Sequence, residues 1–122
     1  MIDVMEWMID TAEEVDELDA VYQTYPRKIV EKGAVAIIMQ TGRMPVTHAH
    51  GEEVVTQLTF QVDVLAPTQT AAREISDAIA NKYTANNGEV TGWSVSYDET
   101  YQRYATTWSV SVTVDKRGTF YH

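Results

Sequence analysis

The residues whose types and spacing most resemble a binding site are His48-Ala-His50 with Glu52 and Glu53. In extended backbone, residues two apart point the same way, so His48, His50 and Glu52 could share a face and reach one cation. No third His or Cys stands nearby, and solvated loop histidines are the plainer reading, so neither a metal nor a cofactor is expected. Asp98-Glu99 is a second acidic pair, but it lies between two alternating stretches, where turn chemistry explains it better than paired-carboxylate hydrolysis. Gly-x-Ser-x-Gly, His-Glu-x-x-His, the phosphate-cradling loop ending in Gly-Lys-Ser/Thr and the dinucleotide glycine pattern are all absent. No residue is set up as an activated nucleophile, and catalysis is not expected.

The elements that would position such residues are organised around Val54 to Tyr83. Val54, Thr56, Leu58, Phe60, Val62 and Val64 share one parity and Gln57, Thr59, Gln61 and Asp63 the other, which predicts a half-buried strand. The period changes at Ala66-Pro67-Thr68, where proline leaves the ladder and Thr68 can cap a helix. Ala72, Ile75, Ala78, Ile79 and Tyr83 then recur at helical spacing, and Asn86-Asn87-Gly88 is the stop. Before this unit the sequence predicts an amphipathic helix from Met1 that ends near Asp19, and a short strand at Val21–Tyr25 closed by Pro26. A basic connector with room for one helical turn follows, then a strand from Ala34 to Gln40. That last run is apolar on both parities, so both its faces should be covered.

Thr41 to Glu53 has no period and reads as a long connection, mobile in the free protein. After the second helix, Gly92 opens a strand with Trp93, Val95 and Tyr97 on one side. Asp98 to Gln102 turns, and Tyr104, Trp108, Val110, Val112 and Val114 alternate with Thr107, Ser109, Ser111, Thr113 and Asp115. Lys116-Arg117-Gly118 ends this strand and a short tail follows. The order α-β-β-β-α-β-β predicts an α+β fold in one domain over residues 1–122: a mixed sheet of four to five strands with both helices on one face. The strands flanking the second helix should be parallel if they share a sheet. Trp93, Trp108, Phe60, Leu58, Ile75 and Ile79 are the expected core, with Tyr97 and Tyr104 on the same apolar parity.

With 122 residues and 44% apolar side chains, the chain can bury a core without disulfides, and it has no cysteine to form one. It has neither a membrane-length apolar run nor a basic-then-apolar N-terminus, so synthesis in the cytoplasm and no membrane partner are expected. The net charge of −9 is local: residues 1–20 hold eight acids and no base, and the rest hold ten acids against nine bases. A face of that sign repels phosphates and anionic lipids; as a solvated helix face it would aid solubility. The outward parity of the two longest strands is odd in another way. It carries Gln, Thr and Ser with Asp63 and Asp115 but no Lys or Arg from Gln57 to Leu65 or from Thr107 to Asp115. That is either a tolerant exposed pleat or a surface for a partner.

The whole pattern, with Tyr22-Gln-Thr-Tyr-Pro26, the apolar strand Ala34 to Gln40, Glu53-Val-Val-Thr-Gln-Leu-Thr-Phe-Gln-Val-Asp-Val-Leu65, Ala71-Ala-Arg-Glu-Ile75 and the closing strand Trp108 to Asp115, resembles the tail terminator (tail completion, tail-to-head joining) proteins of long-tailed bacteriophages. The likeness covers about residues 20–118 and lies in element order and texture. It implies a small α+β subunit of a ring, usually a hexamer, that caps the finished tail tube, stops its growth and presents a surface to the head connector or completion protein. DNA would pass through such a ring without specific binding. The protein would be found in the host cytoplasm during assembly and then at the head-proximal end of the tail. Another phage neck or minor tail component, or a stand-alone small-ligand-binding domain, are the alternatives. The resemblance carries no catalytic residues. Candidate interface residues therefore come from the strand patterns, Gln57, Thr59, Gln61, Ser109, Ser111 and Thr113, and from the loop, where Arg43, His48 and His50 offer donors to acidic residues 1–20 of a neighbouring copy.

Overall fold

The computed structural model describes residues 3–47 and 54–115. Helix α1 (Val4–Glu13) is capped by Asp3, whose carboxylate accepts the Glu6 N–H at 3.2 Å, and it buries Val4, Met8, Thr11 and Ala12 at helical spacing. It ends short of the expected Asp19, because acids crowd its C-terminal end, where the helix dipole is negative, and no base stands in the last turn. Strand β1 (Leu18–Tyr22) therefore begins three residues earlier than the apolar run Val21–Tyr25 predicts. β2 (Ala34–Thr47), β3 (Val54–Ala66), helix α2 (Gln69–Thr84), β4 (Glu89–Asp98) and β5 (Arg103–Val114) complete an α+β fold.

The sheet order is β1-β2-β3-β5-β4, with β1 parallel to β2 and every other neighbour antiparallel. β3 and β4 are parallel, as expected, with β5 inserted between them. Both helices cover one face, where Phe60, Val62, Val64, Trp108, Val110 and Val112 meet Met8, Ala12, Ile75, Ile79 and Tyr83. Thr68 accepts the Ala71 N–H at 3.1 Å to start α2. The stop uses Asn87 at φ +67°, with Gly88 N–H donating to the Tyr83 carbonyl at 2.9 Å. The Tyr83 hydroxyl donates to the Met8 carbonyl at 2.7 Å and ties the two helices together.

The opposite face has a second apolar cluster, Val35, Ile37, Leu65 and Ala105, so the strand from Ala34 is covered on both faces as its composition requires. The cover is the connection from β1 to β2, residues 23–33. Parallel neighbours cannot be joined by a tight turn, and this segment crosses over as an extended strap without the helical turn that the basic connector had room for. Ile29 packs into the cluster, Tyr101 donates to the Pro26 carbonyl, and Arg103 donates to the carbonyls of Gly33 and of Glu31, the latter at 2.6 Å. Tyr25 stacks on Tyr101 with centroids 6.2 Å apart.

Three expectations are corrected. Residues 41–47 do not begin an irregular connection: Gly42 to Thr47 pair with Thr59 to Val54, so the β2–β3 hairpin continues outward as an arm. β4 starts at Glu89 rather than at Gly92, which takes φ +75° at a bulge between Thr91 and Ser94. Finally, Trp93, Val95, Tyr97 and Tyr104 have the apolar parity expected of them but are 45%, 47%, 50% and 37% exposed, because β4 is the edge strand and the sheet runs beyond its cover there.

Candidate assembly surface

The register brings six of the sequence-derived interface residues into three directly opposed pairs: Gln57 with Thr113, Thr59 with Ser111, and Gln61 with Ser109. Directly opposed residues share a face, and this is the face away from the helices. All six are half-buried, and the Thr59 and Ser111 hydroxyls lie 3.3 Å apart, within hydrogen-bonding distance. β4 widens the surface by placing Thr91 opposite Ser109 and Glu89 opposite Ser111. On the other side, Met39, Gly42 and Met44 of β2 stand opposite Gln61, Thr59 and Gln57. The result is a pleated surface four strands wide that offers hydroxyl and amide donors and acceptors, with Glu89 its one charge among these residues. Where it meets the end of α2, a depression of about 460 Å³ is lined by Gln57, Ser111, Thr113, Glu89 and Asn87.

The remaining candidates are placed differently. Arg43 stands opposite Leu58, which packs toward the helices, so it lies on the other face of the arm from the six polar residues. His48, His50, Glu52 and Glu53 lie outside the described residues, as do Lys116, Arg117 and the tail. Asp98 does what turn chemistry predicts, its carboxylate accepting the Tyr101 N–H at 3.0 Å. Among the described residues no group of three or more His, Cys, Asp or Glu is placed to hold a metal ion, and no helix is long and apolar enough to cross a membrane.

Asp63 shares the outward parity of the polar surface but is 2% exposed, so it is not the solvated residue that its parity predicts. Burial raises its pKa; a hydrogen bond with Thr107 works against that, and the Asp98 charge adds to it. The Gln61 side-chain amide donates to both carboxylate oxygens at 3.2 and 3.3 Å, which fixes the boundary between the covered and the open part of the face.

Sequence reasoning missed two features, the strap on this face and an exposed ledge on the helix face. The strap gives no periodic signal; its one internal clue is the run Arg27, Lys28, Ile29, Val30, in which a single apolar side chain turns inward. The second is the edge ledge of Trp93, Val95, Tyr97 and Tyr104, on which Trp93 stacks against buried Trp108 at 5.3 Å and Tyr97 meets Tyr104 edge-on at 5.0 Å. An apolar edge of this kind is a surface that proteins normally cover. No protein-family model and no curated protein matches this chain.

Proposed function

We propose that this chain is a structural subunit of an oligomeric ring, a hexamer by its resemblance to tail terminators, that caps a phage tail tube, ends its growth and joins tail to head without catalysis. The observation that supports the reading most is the open polar surface. Three opposed pairs of Gln, Thr and Ser span β3 and β5 with no base among them, and on the other face the edge strand leaves a Trp, a Val and a Tyr about half exposed. A neutral, hydrogen-bonding sheet surface without the mixed charges of a solvated pleat fits a contact with a partner.

Native mass spectrometry of the protein alone and with its tail tube protein tests this. A closed oligomer that binds tube ends is expected. Ser109→Lys with Ser111→Lys should leave the subunit folded while weakening association at least about tenfold, since two ammonium groups would have to be desolvated at the contact. Unchanged oligomer mass would remove this surface from the interface. A wild-type protein that stays monomeric at every concentration and ignores tubes would overturn the reading.

A further inference from the structure

The acids of the N-terminal segment and the bases of the strap lie on opposite faces of the sheet. On the helix side, Asp3, Glu6, Asp10, Glu13, Glu14, Asp16 and Glu17 are all exposed. Between α1 and the end of α2 runs a groove of about 580 Å³, lined by Trp7, Asp10, Thr11, Glu14, Lys82 and Asn86. Trp7 lines it and packs, at 5.5 Å between centroids, on the wholly buried Tyr83; Asp10 and Glu14 stand one turn apart on its α1 wall, with Lys82 on the α2 side.

On the opposite side the strap exposes Arg27, Lys28 and Lys32. The acid of the strap, Glu31, is turned toward the body: the Tyr22 hydroxyl donates to its carboxylate, with the two oxygens 2.5 and 2.6 Å away. The outward charge of the strap is therefore wholly basic. Between those bases Val30 is 72% exposed, and Tyr25 beside them is 44% exposed, although neither position is needed for the cluster that Ile29 seals. An exposed Val flanked by lysines is the complement of a Trp flanked by carboxylates.

We propose that the strap of one copy docks in the groove of a second copy, with Val30 against Trp7 and Lys28 and Lys32 against Asp10 and Glu14. The occupant is a second copy because both halves of the charge match belong to this chain. A twofold contact through either half would set like charges against each other, whereas strap against groove is head-to-tail. Because the halves lie on opposite faces of one sheet, the contact repeats from copy to copy and either closes a ring or runs on as a fibre. It also lays the helices of one copy toward the open polar surface of the next, which lies on the same face as the strap. The proposal rests on the ring reading and names the contact that would build it.

Two charge reversals and their mixture test it by native mass spectrometry and sedimentation at low salt. Lys28→Glu with Lys32→Glu, and separately Asp10→Lys with Glu14→Lys, should each weaken association at least about 100-fold. Mixing the two variants should restore closed oligomers of alternating copies, because each reversed strap then meets a reversed groove. In wild-type protein mixed from isotope-labelled and unlabelled copies, carbodiimide should link Lys28 or Lys32 to Asp10 or Glu14 between copies; this reads the contact even if a variant folds poorly. Rings that ignore both reversals, a mixture that stays monomeric, or cross-links that join other residues only would overturn this contact and leave the ring reading standing. A monomeric wild type would overturn both.

Discussion

Asp63 is a charge the fold tolerates at a cost. Its carboxyl titrates above the ordinary range in the folded protein because burial disfavours the ionised form. With the folded pKa above the unfolded one, the folded state holds the proton more tightly. Stability is therefore greatest in acid and is lost as pH climbs from the unfolded value through the folded one. The penalty grows as the carboxyl ionises. Asp63→Asn keeps an acceptor for Gln61 and Thr107, and it should melt higher than wild type at pH 7 by about 1 kcal/mol of stability. That advantage should shrink toward zero as pH falls below the carboxylate range. Calorimetry across that range decides it, and a variant less stable at pH 7 would mean that the ionised form is needed. A second contrast at this scale separates parity from cover. Phe60→Ala empties a fully buried aromatic site and should cost about 3 to 5 kcal/mol. Trp93→Ala, on the same face but 45% exposed, should cost under about 2 kcal/mol, lost mainly from its stacking on Trp108. Denaturant midpoints give both numbers. The sequence placed these two residues in one core because alternation reports which face a side chain takes; whether another element reaches that far is a property of the assembled sheet.

At the scale of elements, the strap is held by groups remote in sequence. Arg103 and Tyr101 fasten it from the β4–β5 hairpin, and the Gly33 N–H donates to the Asp19 carboxylate at 2.8 Å. A Cβ at Gly33 would collide with that same carboxylate. Gly33→Ala should therefore push that exposed carboxylate aside and remove its hydrogen bond, loosening the strap at a cost of about 0.5 to 1.5 kcal/mol. Hydrogen exchange should speed up at residues 23–33 while α2 keeps its protection; unchanged exchange would show the Asp19 contact to be dispensable. The tie between Tyr22 and Glu31 holds the Glu31 pKa below its ordinary value, so its contribution is present above the unfolded pKa and fades as pH falls through the folded one. This sign is the reverse of that at Asp63. These remote ties also explain what the sequence could convey. α2 was legible from end to end because its cap, its apolar stripe and its stop are local. The strap was not, because what orders it lies some 70 residues away. The β2 arm was hidden by Gly42 and Pro45. Past Ile37, β2 has no β1 partner, so the missing N–H of Pro45 lies on a stretch paired on one side only, where proline is tolerated.

For the molecule as a whole, the net charge of −9 conceals a separation of two charged segments, with the acids of residues 3–17 on the helix side and the strap bases on the other. The concentration of acid in residues 1–20 was plain in the sequence. The opposed position of the bases was not, since only the crossover of the strap puts Arg27, Lys28 and Lys32 on the far face. The polar surface was legible as a set of residues and acquired its pairing only from the register of β3 with β5. What neither strand alone could indicate is that its upper part is occupied by the chain itself, leaving the lower part open.

The rings of Trp7, Tyr83, Trp108 and Trp93 stand in sequence across the helix face, each 5.3 to 5.9 Å from the next. All three tryptophans of the chain belong to this row. At such spacing, light absorbed by Tyr83 is passed to the indoles on either side of it. Trp7 at one end of the row lines the groove, and Trp93 at the other lies on the exposed edge. The protein's own emission therefore reports on two separate parts of its surface, and its colour shifts toward the blue when either is shielded from water.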